Sequence, residues 1–141
     1  MTMTMRLTWW TPLTFCFPKR YVDAGSFWRT FDIETWSGEF YDWTQDDWHG
    51  LKDFARPPRE TVDSGRGDCE DYALVAASWA VANERPDVGL AFCIDETVPW
   101  PSHVVAYDAQ RVYSSGVIHE RSLESYLADS AYVRALRRRV R

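Results

Sequence analysis

No stretch of this chain stays apolar for the roughly twenty residues that a membrane-spanning helix needs, so no such span is expected. The start also lacks the pattern of a secretory signal, because Pro12, Thr14, Pro18 and Lys19 interrupt its hydrophobic stretch. Cysteine is scarce. Cys16, Cys69 and Cys93 cannot all pair within one chain and their spacing fits no zinc motif, so reduced thiols are expected. Together these point to a cytoplasmic protein or one held inside a larger assembly. Lysine occurs only at Lys19 and Lys52, arginine is common, and the net charge of −5 argues against nucleic-acid binding by the chain as a whole. Internal repeats and low-complexity segments are absent as well.

What remains is a chain of 141 residues with 45% apolar content, enough to bury a core as a single domain over residues 1–141. Residues 1–54 are aromatic-rich, with Trp9, Trp10, Trp28, Trp36, Trp43 and Trp48 among them and no sustained period. Short helices are expected near Ser26 to Thr30 and from Asp46 to Phe54, where Asp46 caps a run through Trp48, Leu51 and Phe54. These aromatics read as core and lid packing, or else as walls for an extended peptide. The other end, residues 131–141, is basic: five arginines fall between Arg134 and Arg141. That tail reads either as a solvated, frayed terminus or as a docking segment for an acidic partner or nucleic acid.

The core of the reading lies in residues 55–116. Gly67-Asp68-Cys69-Glu70-Asp71-Tyr72-Ala73 opens a run in which Tyr72, Ala73, Val75, Ala76, Trp79 and Ala80 recur at helical spacing. Cys69 therefore falls at a helix N-terminus, where the macrodipole and unpaired N–H groups favour a thiolate and can hold an oxyanion. Thr61 to Gly67 is a turn-rich approach whose two glycines can take backbone angles that other residues avoid. Asn83 to Pro86 should end the helix. Beyond it, Gly89–Asp95, Ser102–Tyr107 and Arg111–Ser115 read as strands, the last two joined by a turn at Asp108-Ala109-Gln110. A closing helix is expected from about Ser122, carrying Leu123, Tyr126 and Leu127. Helices first and a sheet afterwards make an α+β layout.

The run from Pro58 through Gly65-Arg66-Gly67-Asp68-Cys69-Glu70-Asp71-Tyr72-Ala73-Leu74, with Ser102-His103-Val104-Val105 beyond it, resembles the bacterial transglutaminase-like cysteine proteinases. These belong to the transglutaminase-like, papain-like superfamily. The resemblance implies a papain-like fold in which N-terminal helices precede a nucleophile helix packed on a small antiparallel sheet. It also implies Cys69 as nucleophile and His103 as base on a neighbouring strand. The family usually sets an aspartate on the next strand to orient the imidazole, but here that strand reads Val112-Tyr113-Ser114-Ser115-Gly116. With the turn at Asp108 to Arg111, Tyr107 faces Val112 and Val105 faces Ser114, which puts Ser114 on the face of His103 as its diagonal neighbour. Ser114 is thus the orienting candidate, ahead of Asp108, while a one-residue slip would substitute Ser115. A hydroxyl carries no charge to steady an imidazolium, so a slower enzyme or an inactive descendant is in view.

Three acids surround the cysteine. Asp68 suits the helix cap and Asp71 completes a capping box. Alternatively, the resemblance implies calcium ligands at Asp68, Glu70 and Asp71, oxygen donors that suit that ion. Uncompensated, the three would raise the thiol pKa by repulsion. His49 and His119 read as surface residues, and any of Trp36, Trp43 or Trp48 could lend an indole N–H to an oxyanion. The expected function is thiol-dependent acyl transfer by a Cys-His pair, in a cysteine peptidase or amidase acting on a peptide or protein. No cofactor is required for that chemistry. The alternative is a catalytically inactive binding or structural module of the same scaffold, for example within a viral particle, with an assembly partner. An enzyme needs Cys69 exposed and close to His103; a scaffold can bury or separate them.

Overall fold

The computed structural model describes residues 12–23, 25–44 and 56–141. The expected helix from Asp46 to Phe54, together with Trp9, Trp10, Trp48 and His49, lies outside them. The described chain is mixed helix and sheet, an α+β arrangement. Helices α1 (Pro12–Cys16), α2 (Phe27–Thr30) and α3 (Ile33–Thr35) come first, and α3 widens into a π-helical turn at Trp36–Phe40. A two-residue strand β1 (Asp42–Trp43), helix α4 (Pro58–Ser64) and strand β2 (Arg66–Gly67) lead to the long helix α5 (Cys69–Ala82). Four strands follow, β3 (Gly89–Ile94), β4 (His103–Tyr107), β5 (Val112–Ser114) and β6 (Val117–His119). Helix α6 (Leu123–Ala128) and strand β7 (Arg134–Arg139) complete the fold.

The helical period over Tyr72 to Ala80 implies one apolar face, but α5 is buried nearly all round, with Leu74, Ala77 and Ser78 as fully enclosed as Tyr72 and Ala76. The cause is its position: α2 and α4 pack on one side and β4 and β5 on the other. Small residues let both layers approach, and Ser78 satisfies its hydroxyl by donating to Leu74 O at 2.7 Å while accepting from Asp23 N at 2.9 Å. Of the described aromatics in the first half, Trp28 and Trp36 are core on that side, with Phe27, Phe31 and Tyr41 packed against them. Trp28 is fully buried, its indole N–H donating to Asp23 Oδ2 at 2.9 Å, and ring contacts run from Phe27 through Trp28, Phe31 and Trp36 to Tyr72.

The main sheet is antiparallel, in the order β6-β5-β4-β3-β7. Side chains alternate between its faces. Leu90, Phe92, Val104, Ala106 and Tyr113 join the core beneath α5. Ala91, Cys93, Val105, Tyr107 and Val112 join a second cluster closed by Leu123, with Tyr126 and Tyr132 against it. Helix α6 starts as expected, Ser122 accepting from Ser125 N at 3.1 Å. The basic tail is not a frayed terminus: Arg134–Arg139 pairs with the whole of β3, from Gly89 opposite Arg139 to Ile94 opposite Arg134.

One buried carboxylate pins the β4–β5 turn. Asp108 is 2% exposed and accepts from Arg85 Nε at 2.9 Å, Tyr113 Oη at 2.7 Å, Gln110 N at 2.8 Å and Arg111 N at 3.0 Å. Desolvation pushes its carboxyl up, but Arg85, Tyr113 and the Gln110 N–H outweigh that and hold it below the ordinary range. Asp108 is thus a structural hub, occupied away from His103.

Candidate active site

The approach to Cys69 is fixed by backbone needs. Gly65 takes φ +69° at the end of α4, and a Cβ there would lie 2.5 Å from Phe40 O. Gly67 has no such angle; its need is space, since a Cβ would lie 2.7 Å from Asp71 Cβ. Only one of the two glycines therefore uses the left-handed region. Short parallel pairing sets Asp42 opposite Arg66 and Trp43 opposite Gly67, and Tyr41 Oη donates to Gly67 O at 2.9 Å.

Asp68 then caps α5. Its Oδ1 accepts from Asp71 N at 3.0 Å, and Asp71 Oδ2 accepts from Asp68 N at 3.2 Å, a reciprocal capping box. Burial raises the Asp71 carboxyl to about 7, with the neighbouring Asp68 charge adding to the rise. Among the described residues no three His, Cys, Asp or Glu side chains come together to hold a metal ion. Asp68 and Asp71 each give one carboxylate oxygen to the cap, and Glu70 is 4% exposed.

Cys69 occupies the first position of the helix but is only 2% exposed. Its thiol is pushed well above the ordinary value, first by burial and then by the Asp68 charge, with Glu70 and Asp71 adding smaller pushes. The Val104 backbone N–H is directed at the sulfur and acts the other way, more weakly. The expected thiolate is therefore corrected to a neutral thiol in the resting protein, because desolvation and the acidic cap exceed the dipole.

His103 begins β4 opposite Cys93, partly buried. The observed register has Tyr107 opposite Val112 and Ala106 opposite Tyr113, and its continuation sets Ser114 opposite Val105. Ser114 Oγ lies 2.9 Å from His103 Nε2, and Tyr126 Oη donates to Ser114 Oγ at 3.3 Å. The imidazole also stacks on Tyr132, with ring centroids 5.7 Å apart and planes 11° apart. Burial lowers its pKa to about 4, so the ring is neutral near neutral pH. Alternation along β4 places His103 with Val105 and Tyr107 on the second face, whereas Cys69 belongs to the core beneath α5. The two candidate groups thus meet the start of β4 from different sides.

Trp36, offered above as an oxyanion donor, is committed elsewhere: its indole N–H donates to Val62 O at 3.3 Å. Trp43 is 44% exposed and sits beside Gly67, two residues from the thiol in sequence. His119 is partly buried on β6, its ring 5.1 Å from that of Tyr126, rather than a plain surface residue. Tyr126 and Tyr132 are the site residues that the sequence did not assign. Tyr126 carried a signal only as part of a helix face, and Tyr132 lies in an aperiodic link. No known family model, curated protein or solved structure matches this chain.

Proposed function

We propose that the chain is a thiol-dependent acyl-transfer enzyme, a cysteine peptidase or amidase of transglutaminase-like, papain-like type, that works from a neutral Cys69–His103 pair. The observation that carries the reading is the 2.9 Å contact between His103 Nε2 and Ser114 Oγ. Ser114 Oγ accepts from the Tyr126 hydroxyl and has a second lone pair for an Nε2–H; the imidazole is assigned that tautomer, with Nδ1 as the base. The Val104 N–H directed at the Cys69 sulfur brings the thiol to the start of β4, next to the residue that carries the imidazole. The reaction requires the two side chains to approach around that strand end, whereupon Nδ1 takes the thiol proton as sulfur attacks an amide carbonyl and the Cys69 backbone N–H holds the oxyanion. The imidazolium then protonates the departing amine as the C–N bond breaks. Water, deprotonated by the same imidazole, cleaves the thioester and restores the thiol. The substrate class is a peptide or protein amide.

The 2% exposure of Cys69 favours a second reading, a binding or structural module on the same scaffold, for instance inside a viral particle or another assembly. Alkylation separates the two. Cys69 is labelled with iodoacetamide across pH in the wild type and in His103→Ala, with exposed Cys16 as the ordinary thiol in the same chain. An activated pair loses at least about ten-fold in Cys69 labelling rate without His103 while Cys16 is unchanged. Labelling of Cys69 indifferent to His103 would sink the enzyme reading in favour of the module.

A further inference from the structure

We infer that the outer edge of β7 is a docking site for an extended peptide segment that alternates acidic with apolar residues, a binding function independent of the Cys69 chemistry. The edge is open. Val140 N donates to Val88 O at 3.0 Å, and the register sets Arg138 opposite Leu90 and Leu136 opposite Phe92. In an antiparallel ladder the backbone groups alternate in direction, so Arg134, Leu136 and Arg138 turn theirs toward β3. Ala135, Arg137 and Arg139 turn theirs outward, and among the described residues nothing on the main chain bonds to them. Three donors and three acceptors thus stand ready for a sixth strand.

Each face beside that edge carries a cleft. On the second face, a cavity of about 380 Å³ lies over Tyr107 and Leu123, where the carboxylates of Asp87, Asp108 and Glu124 outnumber the guanidinium groups of Arg137 and Arg139. Here each arginine already holds a carboxylate of this chain, Arg137 that of Glu124 and Arg139 that of Asp87 at 2.9 Å. With its cations already paired and a carboxylate in excess, this cleft suits an apolar side chain rather than an acid, with the stems of Arg137 and Arg139 beside Leu123 as its walls. On the other face, a cavity of about 340 Å³ is lined by Cys16, Phe17, Pro18, Lys19, Arg20, Arg138 and Arg139, with no carboxylate among them. Phe17 is 51% exposed there, an apolar floor rimmed by cations. Successive side chains of an added strand point to opposite faces, so one set enters each cleft: acids toward Lys19, Arg20 and Arg138, apolar groups toward Tyr107 and Leu123.

Charge selects the partner. The arginines of β7 repel a second copy of the same edge while accepting an acidic strand. A polynucleotide would make no use of the open backbone groups and would meet a chain of net charge −5.

The test uses the full chain and a fluorescein-labelled synthetic peptide of alternating glutamate and leucine, followed by anisotropy. Two isomers carry N-methyl groups, one on its glutamates and one on its leucines, which removes the donors of one peptide edge and keeps the charge. The parent peptide is expected to bind, and one isomer but not the other to bind at least about ten-fold more weakly. The K19Q/R20Q double variant should weaken binding by a similar factor, while Cys69→Ala should not change it. Equal binding of the parent and both isomers would overturn strand pairing. A labelled oligothymidylate that binds more tightly than the peptide would overturn the choice of partner.

Discussion

His103 and Ser114 meet diagonally across β4 and β5, Nε2 to Oγ, at 2.9 Å, with Tyr126 behind the hydroxyl. Replacing that hydroxyl by a carboxylate tests what the contact does. In Ser114→Asp the added charge should raise the His103 pKa from about 4 toward or above its ordinary 6.5. Cys69 alkylation should then extend to lower pH, and Ser114→Ala should slow it. With only three histidines in the chain, His103 can be followed by its ring resonances in an NMR titration. A titration unmoved by Ser114→Asp would mean that the side chains do not touch in solution.

Two buried groups should pull stability in opposite directions over one pH range. The His103 pKa is lowered from 6.5 to about 4, so the fold favours the neutral ring. Its contribution is complete above 6.5 and is lost as pH falls toward 4, where the unfolded chain takes a proton that the folded chain refuses. Asp71 is raised from 3.8 to about 7, so its contribution is complete below 3.8 and is lost as pH rises through 7. Denaturant unfolding across that range should show a shallower acid loss in His103→Gln. Asp71→Asn, which retains an oxygen for the Asp68 N–H, should gain on the order of 1–2 kcal/mol at pH values above 7 and little at 4. Parallel profiles for all three proteins would contradict both shifts.

Removing the Asp108 carboxylate should be among the most damaging single changes. Asp108→Ala leaves Arg85, the Tyr113 hydroxyl and two turn N–H groups without their acceptor, at a cost of about 3–5 kcal/mol. Chemical denaturation measures the loss. At temperatures where the variant remains folded, Cys69 and Cys16 should be alkylated at wild-type rates, because the hub lies apart from the thiol.

Gly65→Ala and Gly67→Ala should both destabilise the approach to α5, by about 1–3 kcal/mol each, for different reasons. The first forces a Cβ onto a φ of +69° against Phe40 O; the second pushes against Asp71 and its cap. Gly67→Ala should therefore also expose Cys69 to alkylation, whereas a change in global unfolding alone would show that the cap does not guard the thiol.

The local features were legible because short-range rules decide them. The Asp68–Asp71 box follows from residue type and spacing, and the two-residue side-chain period in the β4–β5 hairpin carried the parity argument from Tyr107–Val112 to Ser114. What escaped depends on distant chain. The burial of Cys69 comes from packing on both sides of α5, which no motif encodes, and it reverses the charge state suggested by the helix end. The tail was misread because Arg137-Arg138-Arg139 hides the period of a strand whose apolar residues are Ala135 and Leu136. Its pairing is dictated by β3, with Ile94 opposite Arg134 and Gly89 opposite Arg139, and contact across such a separation leaves little trace in a local window.

The ring sequence from Phe27 to Tyr72 has an optical consequence. The Trp36 ring is stacked on that of Tyr72, centroids 6.0 Å apart and planes nearly parallel, and Tyr72 stands one helical turn beyond Cys69. The chain thereby carries its own fluorophore against the helix that bears the thiol. Acylation or alkylation that shifts the first turn of α5 should register in tryptophan emission without any attached dye, which gives a continuous signal for encounters at Cys69.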